Sequence, residues 1–402
     1  MATNTSVPRA IPPLHHLPTS SETGIIDIRS SDACLLDNLD TSILDGLSQP
    51  HGQKSMPALL LWDEKGQTLY DKVLATEEYY PYRVENELIQ ERVDEMATTI
   101  AASRADLLVE LGAGNMTKTG QLLSSLDKRL NSPMLYCALD VDRAQLERSL
   151  VQLNGGTTLR WIKLCGLLGT YDDGARWLAQ PDIAAFRRTL VWLGSSIANY
   201  EQDEAGELLN SFTKDPENGM PQNLAGFLLL VDGCQDATKI DLAYDVPGGE
   251  TRRWMLYALE AARRQLYGNN DDHEVDRLLA DEHWRFEGQW HPVQQRYENY
   301  LVPTRKLTAT IRGRLIQLDE GERVRLLESG KWNGETMSSV ALKSGLDMRQ
   351  SWRNGEFNYG AYWLQPIIRR HDSGIDMTEM SEAPSKTRPT QGHRRRGSHN
   401  PT

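Results

Sequence analysis

The chain has 402 residues, of which 39% are hydrophobic and 25% charged; this allows roughly two to three domain-sized units with a substantial core and excludes a chain that is disordered throughout. Forty-four Lys and Arg against 56 Asp and Glu give a net charge of −12, which excludes a nucleic-acid grip spread over the whole body. The apolar runs are about five residues long, far below the ~20 that cross a bilayer, there is no signal-peptide core, and the four scattered cysteines fit a reduced, cytoplasmic compartment.

Residues 1–22 are rich in Pro, Ser and Thr and read as a disordered tail. Ile89, Val93, Met96 and Ile100 recur at helical spacing, which predicts an amphipathic helix over 84–103. The strand DLLVEL (106–111) runs into the glycine turn GAGN and the helix TKTGQLLSSLDKRL. MLYCALD, ending at Asp140, is the next strand and RAQLERSLVQL the next helix. TLVWLG (189–194) and GFLLLVDG (226–233) are apolar without alternation, as strands buried on both faces of a parallel sheet are. Polar stretches bearing Arg and Trp predict helices from about 234 to 300, and 305–332 reads as β structure. A helix around 335–344 and a strand near FNYGAYWLQP return the chain to the sheet.

This order predicts an α/β protein with a doubly wound, mostly parallel, Rossmann-like core over 84–233 and 331–368. A discontinuous auxiliary lobe is expected over 23–83 and 234–330. A disordered tail over 369–402 carries Lys386, Arg388 and Arg394 to Arg396; such a run is ordinarily a solvated charge, with a nuclear address or polyanion contact as the alternative.

The strongest local signal is ELGAGNMTKT (110–119), where a strand becomes a helix. Gly112 and Gly114 allow a tight turn and close approach of a ligand, and the helix N-terminus favours polar or negative groups. Asp140 ends the next strand, where a carboxylate can accept both hydroxyls of a ribose. A dinucleotide fingerprint wants a third glycine at 117, which is Thr here, so E-x-G-x-G with the later carboxylate favours S-adenosylmethionine over a nicotinamide cofactor. The plain alternative is a glycine turn that only joins strand to helix. By itself EEYYPYR (77–83) reads first as a packing corner, and Asn199, just past a strand, equally as a helix cap. No histidine pair has ligand spacing, so no metal is expected.

Taken in order, KSMPALLLWDEKGQTLYDKV, EEYYPYR, ELGAGNMTKT, ALDVD, GTYDDG, WLGSSIANY, VDGCQD, AYDVPGGETRRW and ESGKW resemble the family of S-adenosylmethionine-dependent amino-acid Nα-methyltransferases. The similarity covers about residues 54–366. That family includes the histidine methyltransferase of ergothioneine synthesis and the fungal dimethylallyltryptophan N-methyltransferase of ergot alkaloid pathways. The resemblance implies a Rossmann-like methyltransferase core with a lobe that closes over the amino acid. It puts Gly112, Gly114 and Lys118 at cofactor positions, Asp140 at the ribose, and Thr170 and Tyr171 beside the adenine, with Thr170 replacing an Asp of bacterial members. Tyr80, Asn199 and Tyr244 match the residues that hold and orient the substrate's carboxylate and amine.

The side-chain pocket departs from the histidine enzymes, which read imidazole with a Glu and a Ser spaced E-x-S before a Lys-aromatic pair. Aligning on Lys331-Trp332 puts Leu327 at the Glu position and Ser329 at the Ser position, and Trp62 replaces a Tyr. Glu328 is expected on the opposite strand face. These changes imply a larger, less polar substrate, a tryptophan-like amino acid or derived amine in secondary metabolism. Histidine, and a non-catalytic methyltransferase-like binder, are the alternatives. The expected partner is a small molecule, with no nucleic acid or membrane involved, and a homodimer is the assembly the resemblance suggests.

Overall fold

The computed structural model describes residues 24–29, 39–214, 223–246, 248–267 and 273–367, which all fall in one compact unit ending at Ile367. Both expected tails, with Arg394 to Arg396, lie outside the described residues. The strands are β1 (Ile25–Asp27), β2 (Leu107–Leu111), β3 (Met134–Asp140), β4 (Ile162–Leu168), β5 (Arg188–Trp192), β6 (Leu224–Val231), β7 (Trp284–His291), β8 (Arg296–Pro303), β9 (Leu307–Ile311), β10 (Arg314–Leu318), β11 (Val324–Gly330), β12 (Leu346–Arg353) and β13 (Gly360–Pro366). The helices are α1 (Leu39–Leu47), α2 (Glu64–Leu74), α3 (Tyr80–Ala102), α4 (Thr117–Asp127), α5 (Arg143–Gly156), α6 (Tyr171–Ala179), α7 (Pro181–Ala184), α8 (Gln202–Thr213), α9 (Ala237–Tyr244), α10 (Glu250–Tyr267), α11 (His273–Leu279) and α12 (Gly334–Lys343).

The central sheet has the order β1-β4-β3-β2-β5-β6-β13-β12. The strands from β1 to β6 pair in parallel, and β13 runs antiparallel to both β6 and β12. Its apolar strands lack alternation because each face has its own helical cover. Leu108, Tyr136 and Ala138 pack with α3, α4, α5 and α9; Leu107, Val109, Leu135 and Cys137 pack with α6, α7, α8 and α12. From β2 the chain passes to β3 and β4 on one side and later to β5 and β6 on the other. The crevice at the carboxyl end of β2 is therefore the topological switch point, where open α/β sheets bind ligands.

A third apolar cluster joins α1, the turn Ala58–Leu61, α10, α11 and strands β7 to β11. It occupies most of the segments expected to form the lobe. Two pieces go elsewhere: β1 extends the edge of the central sheet through Ile25↔Gly166, and Ile240, Ala243 and Tyr244 of α9 pack on the sheet face. The helices expected up to 300 stop at α11, since 284–303 is the antiparallel hairpin of β7 and β8. In β7 Trp284, Phe286 and Trp290 alternate with charged and polar residues, and this period of two was masked by the high polarity of the stretch.

Candidate active site

At the switch point the chain makes a left-handed turn at Gly112 (φ +66°) and Gly114 (φ +54°), and Met116 (φ +52°) opens α4 in the same conformation. A Cβ on Gly112 would stand 2.8 Å from the Tyr171 hydroxyl, whereas one on Gly114 would meet no atom within 4 Å. The left-handed φ favours glycine at both positions; packing against Tyr171 adds to this at Gly112, and Gly114 opens on free space. That space belongs to a cavity of about 730 Å³ lined by the glycine turn, Glu110, Lys118, Asp140, Thr170, Tyr171, Asn199 and residues of the lobe.

On the cofactor side, Asp140 accepts from Gly114 N at 3.0 Å and Asp142 N at 3.2 Å, and burial raises its pKa against those bonds. Lys118 donates to Glu85 at 2.5 Å, and Glu85 also accepts from Gly194 N at 2.6 Å. A carboxylate on α3 thus ties α4 to the turn after β5. Glu110, at the end of β2, accepts from Thr119 and Tyr136, and burial pushes its carboxyl up to about 7. Thr170 caps α6 in a reciprocal box with Asp173, so its hydroxyl is engaged in the cap. Tyr171 packs against Trp192 with ring centroids 4.6 Å apart.

Asn199 ends the short 3-10 turn Ser196–Asn199 after β5. It is not a helix cap, because Glu201 caps α8, and among the described residues no hydrogen bond engages its side-chain amide. The lobe contributes Trp62, Tyr70, Tyr79 and Leu327 to the cavity wall. Trp62 meets Tyr70 and Trp254 edge-on at 5.2 and 5.3 Å, and the Tyr70 and Tyr79 hydroxyls are 3.3 Å apart. Gly330 lets the end of β11 abut this turn: a Cβ there would stand 2.8 Å from Ala198 O.

Three candidates occupy different places from those the motifs implied. Tyr80 does not line the cavity; it begins α3, stacks on Phe357 and donates to Asp232 at 2.7 Å. Its neighbour Tyr79, still outside the helix, takes the wall position. Tyr244 and Ser329 lie behind the wall, bonded to each other at 2.8 Å. Glu328 does contribute to the wall beside Leu327, yet its carboxylate lies against Arg325 at 2.6 Å and Arg296 at 3.7 Å.

Glu85 and Glu110 were missed as site residues. The signal for Glu85 was a carboxylate on the apolar face of α3, four residues before Ile89. His51, Asp319 and Glu322 bring potential metal-ligand atoms within 4.8 Å of one another at the surface, with His51 and Asp319 exposed; only contacts in the folded chain gather these residues. Among the described residues no helix is long and apolar enough to cross a membrane, and Cys137, Cys165 and Cys234 are free and buried.

A mostly parallel sheet with its antiparallel β13, an open glycine turn at the switch point and an acidic residue at the end of the next strand define an S-adenosylmethionine-dependent methyltransferase. The residues fit that cofactor, since the turn leaves room at Gly114 and Asp140 faces the same cavity. The chain belongs to the family described as histidine-specific, SAM-dependent methyltransferases, whose model matches residues 39–366. It is similar to the N-methyltransferase imqF of Aspergillus flavus, 36% identical over 90% of this chain and 93% of that protein. It is also similar to the 4-dimethylallyltryptophan N-methyltransferase easF of Claviceps purpurea, 29% identical over 85% of this chain and 98% of that protein. Ergothioneine biosynthesis protein 1 of Neurospora crassa is 31% identical over 86% of this chain and 37% of that longer protein. The enzyme is an S-adenosylmethionine-dependent N-methyltransferase acting on a small molecule.

Proposed function

We propose that the enzyme methylates the α-amino group of a tryptophan-like amino acid, or an amine derived from one, in the biosynthesis of a secondary metabolite. The observation that carries this reading is the apolar stretch of the cavity wall formed by Leu327, Trp62 and Tyr70; by the resemblance, Leu327 stands where histidine enzymes have a carboxylate. An apolar aromatic wall suits an indole and leaves an imidazole short of an acceptor. The relative that acts on 4-dimethylallyltryptophan supports the same substrate class. Histidine is the second reading, favoured by Glu328 on the wall; its pairing with two arginines argues against it.

When bound, S-adenosylmethionine supplies a methyl group on a sulfonium whose neutral thioether leaves without acid assistance. The protein's task is to hold the amine in line and keep water out. Asn199, with its amide free for a ligand, and Tyr79 are the wall residues suited to the amine and carboxylate, and Tyr80 and Tyr244 act from behind them. The amine must be bound uncharged, at a cost of about 1.4 kcal/mol for each unit its pKa exceeds the working pH. Lys118, Asp140 and the glycine turn hold the cofactor, with Tyr171 beside its base and Thr170 at the helix cap. We take the enzyme to be cytoplasmic and homodimeric, with no nucleic-acid or membrane partner; light scattering tests the assembly.

The test is mass spectrometry after incubation with S-adenosylmethionine and, separately, histidine, tryptophan, 4-dimethylallyltryptophan and tyrosine. Methylated tryptophan or its prenyl derivative, with histidine untouched, is expected. Methylated histidine overturns the pocket argument, and no product from any of them points to another amine or to a non-catalytic binder.

A further inference from the structure

Behind the substrate wall lies a buried ion pair that the methyl-transfer chemistry itself does not require. Lys331 Nζ is 2.8 Å from Asp232 Oδ2, and the two side chains are 1% and 0% exposed. They come from opposite parts of the molecule, Lys331 following β11 of the lobe and Asp232 following β6 of the sheet. Taking two charges out of water offsets their mutual attraction, so a buried pair is not by itself a stabilising device. Its other hydrogen bonds indicate what it does. Lys331 also donates to the Tyr244 hydroxyl at 2.6 Å and reaches Ser329 Oγ at 3.4 Å. Asp232 accepts from Tyr80 at 2.7 Å and from Cys234 N at 3.0 Å.

An ammonium only donates and a carboxylate only accepts, so the pair dictates the direction of the surrounding bonds. Tyr244 must accept from Lys331, and its hydroxyl lies 2.8 Å from Ser329 Oγ. Tyr80 must give its proton to Asp232. Tyr244 in turn packs edge-on against Tyr79 with centroids 5.7 Å apart, and Tyr79 is the tyrosine on the cavity wall. We propose that Lys331 and Asp232 are positioning residues that fix the tyrosines of the amine-binding wall from the junction of the lobe and the sheet. The inference rests on the reading that Tyr79 and Asn199 face the substrate amine.

The test compares four variants of the full chain: Lys331→Met with Asp232→Asn, Tyr244→Phe, Tyr79→Phe and Asn199→Ala. The double change removes both charges at once, so no uncompensated buried ion remains to unfold the protein. Calorimetry with S-adenosylhomocysteine measures the cofactor site, and steady-state kinetics with the panel amino acid that the parent enzyme methylates measures the amine site. Loss of a charge-assisted hydrogen bond predicts that the amine KM rises by about tenfold in the double variant and in Tyr244→Phe, with S-adenosylhomocysteine affinity held within about twofold. An unchanged amine KM in a folded double variant overturns the proposal, as does equal loss at both sites, which is the mark of a structural role alone. If the double variant does not fold, Tyr244→Phe decides alone by the same criterion. Unchanged amine kinetics in both Tyr79→Phe and Asn199→Ala would refute the underlying wall assignment instead.

Discussion

Asn199 illustrates what a single side chain contributes here: its amide stands on the cavity wall with no hydrogen-bond partner among the described residues. Asn199→Ala should lower turnover and raise the amine KM by at least about tenfold, with S-adenosylhomocysteine affinity near normal; loss of cofactor binding would remove it from the amine site. Leu327→Glu puts a carboxylate at the position where the proposed reading expects one in histidine enzymes. Competition between histidine and tryptophan should then shift toward histidine by about tenfold or more, and an unchanged ratio would mean that Leu327 does not set specificity. Glu110 carries a pH dependence. Burial raises its carboxyl from an ordinary 4.5 to about 7, so the folded state favours the protonated form. That contribution to stability is fully present below pH 4.5 and is lost as pH rises through 7. Thermal melts of Glu110→Gln, which stays neutral, should gain on the parent between pH 5 and 8; parallel curves would refute the shift.

Elements meet at the site through a few close approaches. The end of β11 can reach the Ser196–Asn199 turn because Gly330 has no side chain: a Cβ there would stand 2.5 Å from Trp332 Nε1 and 2.8 Å from the backbone oxygen of Ala198. Gly330→Ala should therefore displace the turn and reduce turnover while S-adenosylhomocysteine still binds, which kinetics and calorimetry together can read. On the other side, Asp127 at the end of α4 accepts from the backbone N–H groups of Arg160, Trp161 and Ile162 and so fixes the start of β4. Asp127→Ala leaves these donors short and should cost about 2–3 kcal/mol in chemical denaturation, with both KM values unchanged. The amphipathic spacing and apolar strands near the glycine turn were readable because local periodicity specifies them. The segments Ile162–Leu168 and Leu346–Arg353 were not read as strands. The first includes Lys163 and the second is mostly polar, and their pairing comes from neighbours distant in sequence.

At the scale of the molecule, the sheet with its helices and the lobe each have an apolar cluster, yet the described residues form one compact unit. The cavity draws its wall from both, and the Lys331–Asp232 pair spans them. Calorimetric unfolding should therefore show one cooperative transition. S-adenosylhomocysteine at a hundredfold excess over its Kd should stabilise that whole transition by about 2.7 kcal/mol. A separate transition that the ligand does not move would show that the lobe unfolds independently.

The sequence by itself determined the α/β class, the glycine turn with Asp140 at the end of the next strand and the methyltransferase family. These are either local patterns or residue identities, and neither depends on how distant segments meet. Only the tertiary structure decided which of two adjacent tyrosines reaches the cavity. Tyr79 precedes the first turn of α3 and Tyr80 lies within it, so one residue's difference in backbone conformation sends one ring to the wall and the other to Asp232. The same holds for Glu85, Tyr244 and Lys331, whose partners are tens of residues or more away in the chain and meet them only in the folded molecule.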